Sequence, residues 1–260
     1  PVFPEIVIDL KLDPQWAGMV LSIHTITIAI FIPIMGILAD AVGKSKVLIC
    51  CLFSYSLLGI SGAFLNDLNS LLITRGLLGI ASGGISASCI GILSNIYQGE
   101  ARLKILGYAT SAITTANIFT PLLGGFVGSK DWRLVFFLYG VSIPVAILAI
   151  FILSNQSDKN DSGLTNIPIN ELLNNLRSIE AIRSFLIIIV ASCIMYSIFI
   201  YAPLFLKESI GADSKVNGIV LAARAIGIAI FSASSASWFA KSIGKNQTIA
   251  LGFILMALSL

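Results

Sequence analysis

The chain has 260 residues, of which 16 are basic and 13 acidic, so charged side chains make up 11% of it, against roughly 25% in a soluble domain. Apolar residues reach 57% and the mean hydropathy is +0.95, which leaves too little polar surface to enclose a water-soluble core. A net charge of +3, with no basic stretch interleaved with aromatics, argues against a nucleic-acid partner.

Charge-free runs at 14–39, 47–66, 76–99, 105–129, 134–157 and 184–206 each reach the length of about 20 residues that crosses a bilayer core. They exclude a soluble enzyme. The fold class is an all-α membrane protein, because an open sheet cannot span lipid. The pattern predicts helices at 17–39, 47–65, 70–97, 103–128, 132–153, 184–206, 216–240 and 246–260, about eight transmembrane helices in all.

The first helix carries His24, whose ordinary pKa lies near neutrality. It is a candidate proton carrier, with a hydrogen-bonded packing role as the alternative. The loop that follows reads Gly36-Ile37-Leu38-Ala39-Asp40-Ala41-Val42-Gly43-Lys44-Ser45-Lys46. Gly36 allows helices to approach closely, and Gly43 permits a tight turn. Asp40 sits at a helix end, while Lys44 and Lys46 can anchor to anionic headgroups. In the helix at 70–97, Arg75 lies six residues from the loop before it. A guanidinium at that depth needs water, a counter-charge or a route to the surface, and Asp67 is the nearest acid. The small residues at 82–88 read as a packing face.

The helix at 103–128 contains Gly107, Ala116, Thr120, Pro121, Gly124 and Gly125, small residues expected to line a tight helix contact, and Asn117, a candidate cavity residue. Pro33, Pro121, Pro144 and Pro203 are expected to bend their helices. A polar connector at 154–183 divides the chain. Within it Ile169, Leu172, Leu173, Leu176 and Ile179 recur at helical spacing, which predicts a short amphipathic helix on the membrane surface. Arg224, about 14 Å into the helix at 216–240 at 1.5 Å per residue, is expected to face the central cavity and meet an anionic substrate or carboxylate there, with pairing within its own bundle as the alternative. The four cysteines fall within predicted spans with no disulfide or metal spacing.

Lys and Arg divide nine against five between alternate loops, which puts the connector and the loop at 41–46 in the cytoplasm.

The loop from Gly36 to Lys46 resembles the signature Gly-x-Leu-x-Asp-Arg-x-Gly-Arg-Lys of the major facilitator superfamily, departing from it at Ala41 and Ser45. Leu71-x-x-x-Arg75-x-x-Leu78-Gly79 resembles that family's second motif. Gly107, Ala116, Thr120, Pro121, Gly124 and Gly125 sit where its antiporter motif has Gly, Gly, Gly, Pro, Gly and Gly. A weak echo of the first loop recurs at 238–245, with Gly244 in the place of Gly43.

The resemblance implies two six-helix bundles, of which this chain would be a fragment lacking the first span and the last few. Residues 1–153 would hold the end of the first span and the second to sixth, 154–183 the connector, and 184–260 the start of the second bundle. It also implies proton coupling through Arg75, Gly79 and His24, a cytoplasmic gating loop at Gly36, Asp40, Gly43, Lys44 and Lys46, and a substrate cavity reached by Arg224 and Asn117. The expected function is secondary transport by alternating access, as proton-coupled efflux of small amphipathic molecules. Uptake of a metabolite and a non-transporting receptor are the alternatives. The expected partners are a small-molecule substrate, protons and the plasma-membrane bilayer, with the protein monomeric and with no enzyme activity, cofactor or metal.

Overall fold

The computed structural model describes residues 1–11, 14–153 and 179–234, together with positions 242, 244, 247, 248, 251 and 252. The amphipathic stretch at Ile169, Leu172, Leu173 and Leu176 lies outside the described residues, as do most of 246–260 and of the echo at 238–245. Eight α-helices occupy the described residues: α1 Phe3–Asp9, α2 Pro14–Val42, α3 Lys44–Ser61, α4 Leu68–Ile96, α5 Gly99–Gly128, α6 Ser142–Leu153, α7 Ile179–Ile210 and α8 Ser214–Ser234. Two 3₁₀ segments, Gly62–Phe64 and Trp132–Val141, complete them.

Among the described residues, five helical stretches are long and apolar enough to cross a membrane: Gly18–Val42, Lys44–Phe64, Leu68–Ile96, Trp132–Leu153 and Ile189–Ile210. Helices α5 and α8 are also long enough to cross a membrane, at 30 and 21 residues. Glu100, Arg102 and Lys104 open α5, while Lys215, Asn217 and Arg224 punctuate α8. Large apolar side chains such as Ile30, Ile37, Phe119 and Phe151 point away from the protein, as expected where lipid replaces water as the solvent.

The sequence expectation differs from the structure in three places. Helix α5 begins at Gly99 and α7 at Ile179, each a turn earlier than the charge pattern suggested. Charged residues in a first turn do not stop a helix; they only mark where it leaves the hydrocarbon. The predicted helix at 132–153 opens with ten residues of 3₁₀ structure before turning α-helical at Ser142. Runs of 3₁₀ beyond three or four residues are uncommon, and at 3.0 residues per turn they stack positions i and i+3. Phe136 and Tyr139 therefore share one face, their rings 6.4 Å apart. That face meets α3 where α3 has no side chain in the way. A Cβ on Gly59 would lie 2.3 Å from Tyr139, and one on Gly62 2.3 Å from Phe136.

Helix α4 is the centre of the first group. Leu71 and Leu78 are almost fully buried, and its glycines admit neighbours on two sides. A Cβ on Gly79 would meet the His24 carbonyl of α2 at 2.6 Å, and one on Gly84 would meet Cys51 Sγ of α3 at 2.3 Å. Helix α7 joins α1, α2 and α4 through Phe3, Val20, Leu71 and Ile200. At the end carrying the loops after α3, after α5 and after α7, called the sealed end below, polar contacts tie elements together. Arg133 donates to Asp9 at 3.0 Å and to Asn66 at 2.8 Å, Trp132 Nε1 donates to the same carboxylate at 3.1 Å, and Lys207 pairs with Glu5 at 3.5 Å.

Candidate functional site

Helix α5 leaves the first group to pack on α8, and the contact is nearly backbone to backbone. A Cβ on Gly125 would lie 2.6 Å from the Ser214 carbonyl and 2.9 Å from Gly218 Cα. One on Gly218 would lie 2.5 Å from the Pro121 carbonyl. Pro121 lies inside α5, and a proline ring displaces the usual i to i−4 ladder there. The expected stripe of small residues does not form one contact. Gly125 is at the seam, Gly124 is buried with ordinary clearance, Ala116 and Thr120 are exposed, and Gly107 has nothing within 4 Å. Positions 107 and 125 are five turns apart along α5, and the closest approach to α8 falls at Gly125 and Gly218.

Beside this seam lies a cavity of about 830 Å³, within the range of small-molecule sites. Asn117, Thr120 and Pro121 of α5, Tyr139 of the 3₁₀ segment, Phe199 of α7 and Arg224 of α8 all reach it. The structure thus brings Arg224 and Asn117 to one cavity. Arg224 donates to the Met195 thioether at 3.6 Å. Thr120 donates its hydroxyl to the Ala116 carbonyl, and Ser142 donates to Tyr139 O at 2.7 Å.

Arg75 does not run to the surface. Its Nη1 donates to the Tyr139 hydroxyl at 2.9 Å, and its guanidinium lies 4.9 Å from the Phe136 ring centre and 5.8 Å from that of Tyr139. Asp67 instead caps α4, accepting from the Ser70 N–H at 2.9 Å, a bond that holds its carboxyl below the ordinary value. Tyr139 packs against Tyr55 at 5.2 Å between ring centres, and both line the cavity. His24 approaches the Arg75 carbonyl through Nδ1 at 3.4 Å, and its neighbour Thr25 shares a hydrogen bond with the Tyr196 hydroxyl of α7. Gly79 is the close-contact point directly below. His24, Arg75 and Gly79 are therefore neighbours.

At the opposite end, Gly43 turns the chain from α2 into α3 at φ 114°, and Gly244 has φ 85°, a region that favours glycine. Asp40 pairs with Lys44 at 3.0 Å across that turn. With the Asn95 amide oriented to satisfy both neighbours, its oxygen accepts from Lys44 Nζ at 3.0 Å. The Lys44 stem lies over Gly91 of α4, where a Cβ would meet it at 2.9 Å. Lys46 is exposed, and Gly36 faces Ala87 at an ordinary 3.9 Å. No group of three or more potential metal ligands occurs among the described residues.

The Major Facilitator Superfamily family model matches residues 1–260. The chain belongs to the major facilitator superfamily. It is 28% identical over 148 residues to the multidrug transporter protein MdtP of Bacillus subtilis, a match covering 56% of this chain and 27% of that protein. It is 25% identical over 164 residues to the quinolone resistance protein NorA of Staphylococcus aureus, covering 63% and 42% respectively. The chain thus spans less than half the length of these curated relatives. Its apolar helices and its family make it a multi-pass membrane protein.

Sequence reasoning missed Tyr139, Phe136, Tyr55 and Gly218. The aromatics carry no charge or motif that marks them, and only the 3₁₀ register brings them to Arg75. Gly218 had a signal: it is a glycine in a span, like Gly125, but nothing in one chain's sequence pairs the two.

Proposed function

We propose that this chain forms part of a secondary transporter that works by alternating access and exports small amphipathic molecules in exchange for protons. The cavity beside the α5–α8 seam carries this reading. It lies between helices that precede and follow the connector, which is where a rocking-bundle transporter binds its substrate. The seam closes one end of it through contacts without side chains, beside the Lys207–Glu5 pair that also joins the two sides at that end.

In this reading the sealed end faces outward and the loop at Gly43 faces the cytoplasm, in line with the distribution of Lys and Arg. Asp40, Gly43, Lys44 and Lys46, with Gly36 before them, form the cytoplasmic gate. Arg75 couples protons to the cavity through the Tyr139 hydroxyl, with Gly79 and His24 fixing the approach of α2 to α4. The relatives' names, a multidrug transporter and a quinolone resistance protein, support efflux of drug-like molecules from the plasma membrane. The protein acts as a monomer in this account.

Everted vesicles carrying the full-length protein test it. With an acid-inside gradient they should accumulate amphipathic fluorescent probes, and a protonophore should abolish accumulation. Accumulation that ignores the protonophore would overturn proton coupling. Its absence for cationic, neutral and anionic probes alike would overturn efflux.

A further inference from the structure

The cavity described above has a marked charge imbalance. Arg224 lies on its wall, and Arg75 stands directly behind, hydrogen-bonded to the hydroxyl of a lining tyrosine. Among the described residues no Asp or Glu lines the cavity, and no carboxylate pairs with either guanidinium. Among the described residues the Arg224 side chain has one hydrogen-bond partner, a thioether at 3.6 Å, a weak acceptor that cannot satisfy five N–H donors. A guanidinium in an apolar wall needs an anion or water, and its planar fork matches a carboxylate through two parallel bonds. The rest of the lining is largely rings and aliphatic groups, among them Tyr55, Phe199, Val145 and Ile228. The neutral polar groups do little to change this balance, since the hydroxyls of Thr120 and Ser142 already donate to backbone carbonyls.

We infer that the cavity selects amphipathic monoanions, with a carboxylate held by Arg224 and an aromatic body against the Tyr55, Tyr139 and Phe199 side. The inference rests on the reading of this cavity as the transport site and narrows it to a substrate class. It sets organic cations at a disadvantage, because they would meet two guanidinium groups and no counter-charge.

Binding and flux separate the two claims. Detergent-purified full-length protein would be titrated with radiolabelled 2-naphthoate, and methyl 2-naphthoate and 2-naphthylmethylamine would be used as competitors. The three share one ring system and differ in charge. The carboxylate should bind at least about tenfold more tightly than the ester, the scale of one charge-assisted contact, and the amine should compete least. Arg224→Gln should bring the carboxylate down to the level of the ester and leave the ester unchanged, and Arg224→Lys should fall between. Equal competition by all three in the wild-type protein, or a preference for the amine, would overturn the inference even if Arg224→Gln failed to fold. Arg224-dependent binding of 2-naphthoate with no gradient-driven flux in vesicles would uphold charge selection and overturn the transporter reading instead.

Discussion

Helices α4 and α5 are close to the same length, 29 and 30 residues, and both carry runs of small residues, but the structure uses those residues in opposite ways. In α4, Gly79 and Gly83 receive the backbone of α2, and Gly84 receives side chains of α2 and α3. The helix is clasped on two sides by elements close to it in sequence. In α5, Gly125 meets α8 on the far side of the connector, while Gly128 meets Val2 and Val135. The first half of α5 stands open, with Leu103, Tyr108 and Ile113 exposed and Gly107 uncontacted. Where lipid removes the hydrophobic drive between helices, close van der Waals packing of small residues remains. In α4 that packing joins neighbours in sequence; in α5 it makes a seam across the connector, closest at Gly125 and Gly218.

The comparison breaks most readily at Gly79. Its Cβ would lie 2.6 Å from a backbone carbonyl, an obstacle that cannot rotate away, and overpacking costs about 1–3 kcal/mol even where side chains can yield. Gly79→Leu should therefore remove most of the monodisperse full-length protein in size-exclusion chromatography. Next comes Gly125→Leu, which should leave that yield near wild type but cut flux about tenfold, because only one of two alternating states contains the contact. Equal loss of yield in both variants would erase the distinction between fixed and separable packing.

Arg75→Lys should follow, with substrate binding retained and proton-driven flux reduced. A lysine loses the planar stacking over Phe136, a contact type of about 0.5–2 kcal/mol. Wild-type flux in that variant would leave Arg75 as a structural anchor. Gly107→Ala should have the smallest effect, indistinguishable from wild type in both yield and flux, since nothing lies within 4 Å of the added carbon. A measurable loss there would mean that the open half of α5 meets another element.

How much of this was legible beforehand depended on the range of the physics involved. Helix existence follows from apolar run length, so the spans were readable to within a turn. Gly43 was readable as a turn because φ 114° is a local requirement. The packing role of 82–88 also showed, since Gly83, Gly84 and Ala87 among serines, over about two turns, have few other uses in a span. The 3₁₀ register of Trp132–Val141 could not be read in this way. It depends on the match between Phe136, Tyr139 and the bare face at Gly59 and Gly62, residues some 80 positions away in the sequence. Arg75 illustrates the same limit: its sequence neighbour Asp67 looked like its partner, and the structure gives it Tyr139 instead.

The central claim is that the α5–α8 seam closes one of two alternating states. Spin labels at Lys130 and Lys215, exposed positions flanking the seam, would report on it directly in the full-length protein reconstituted into bilayers. Pulsed dipolar spectroscopy should resolve a short distance, matching the sealed arrangement, and a longer one. Acidification or substrate should shift the ratio between them, while Gly125→Leu should deplete the short one. A single short distance, unchanged by pH, substrate and Gly125→Leu, would contradict the account.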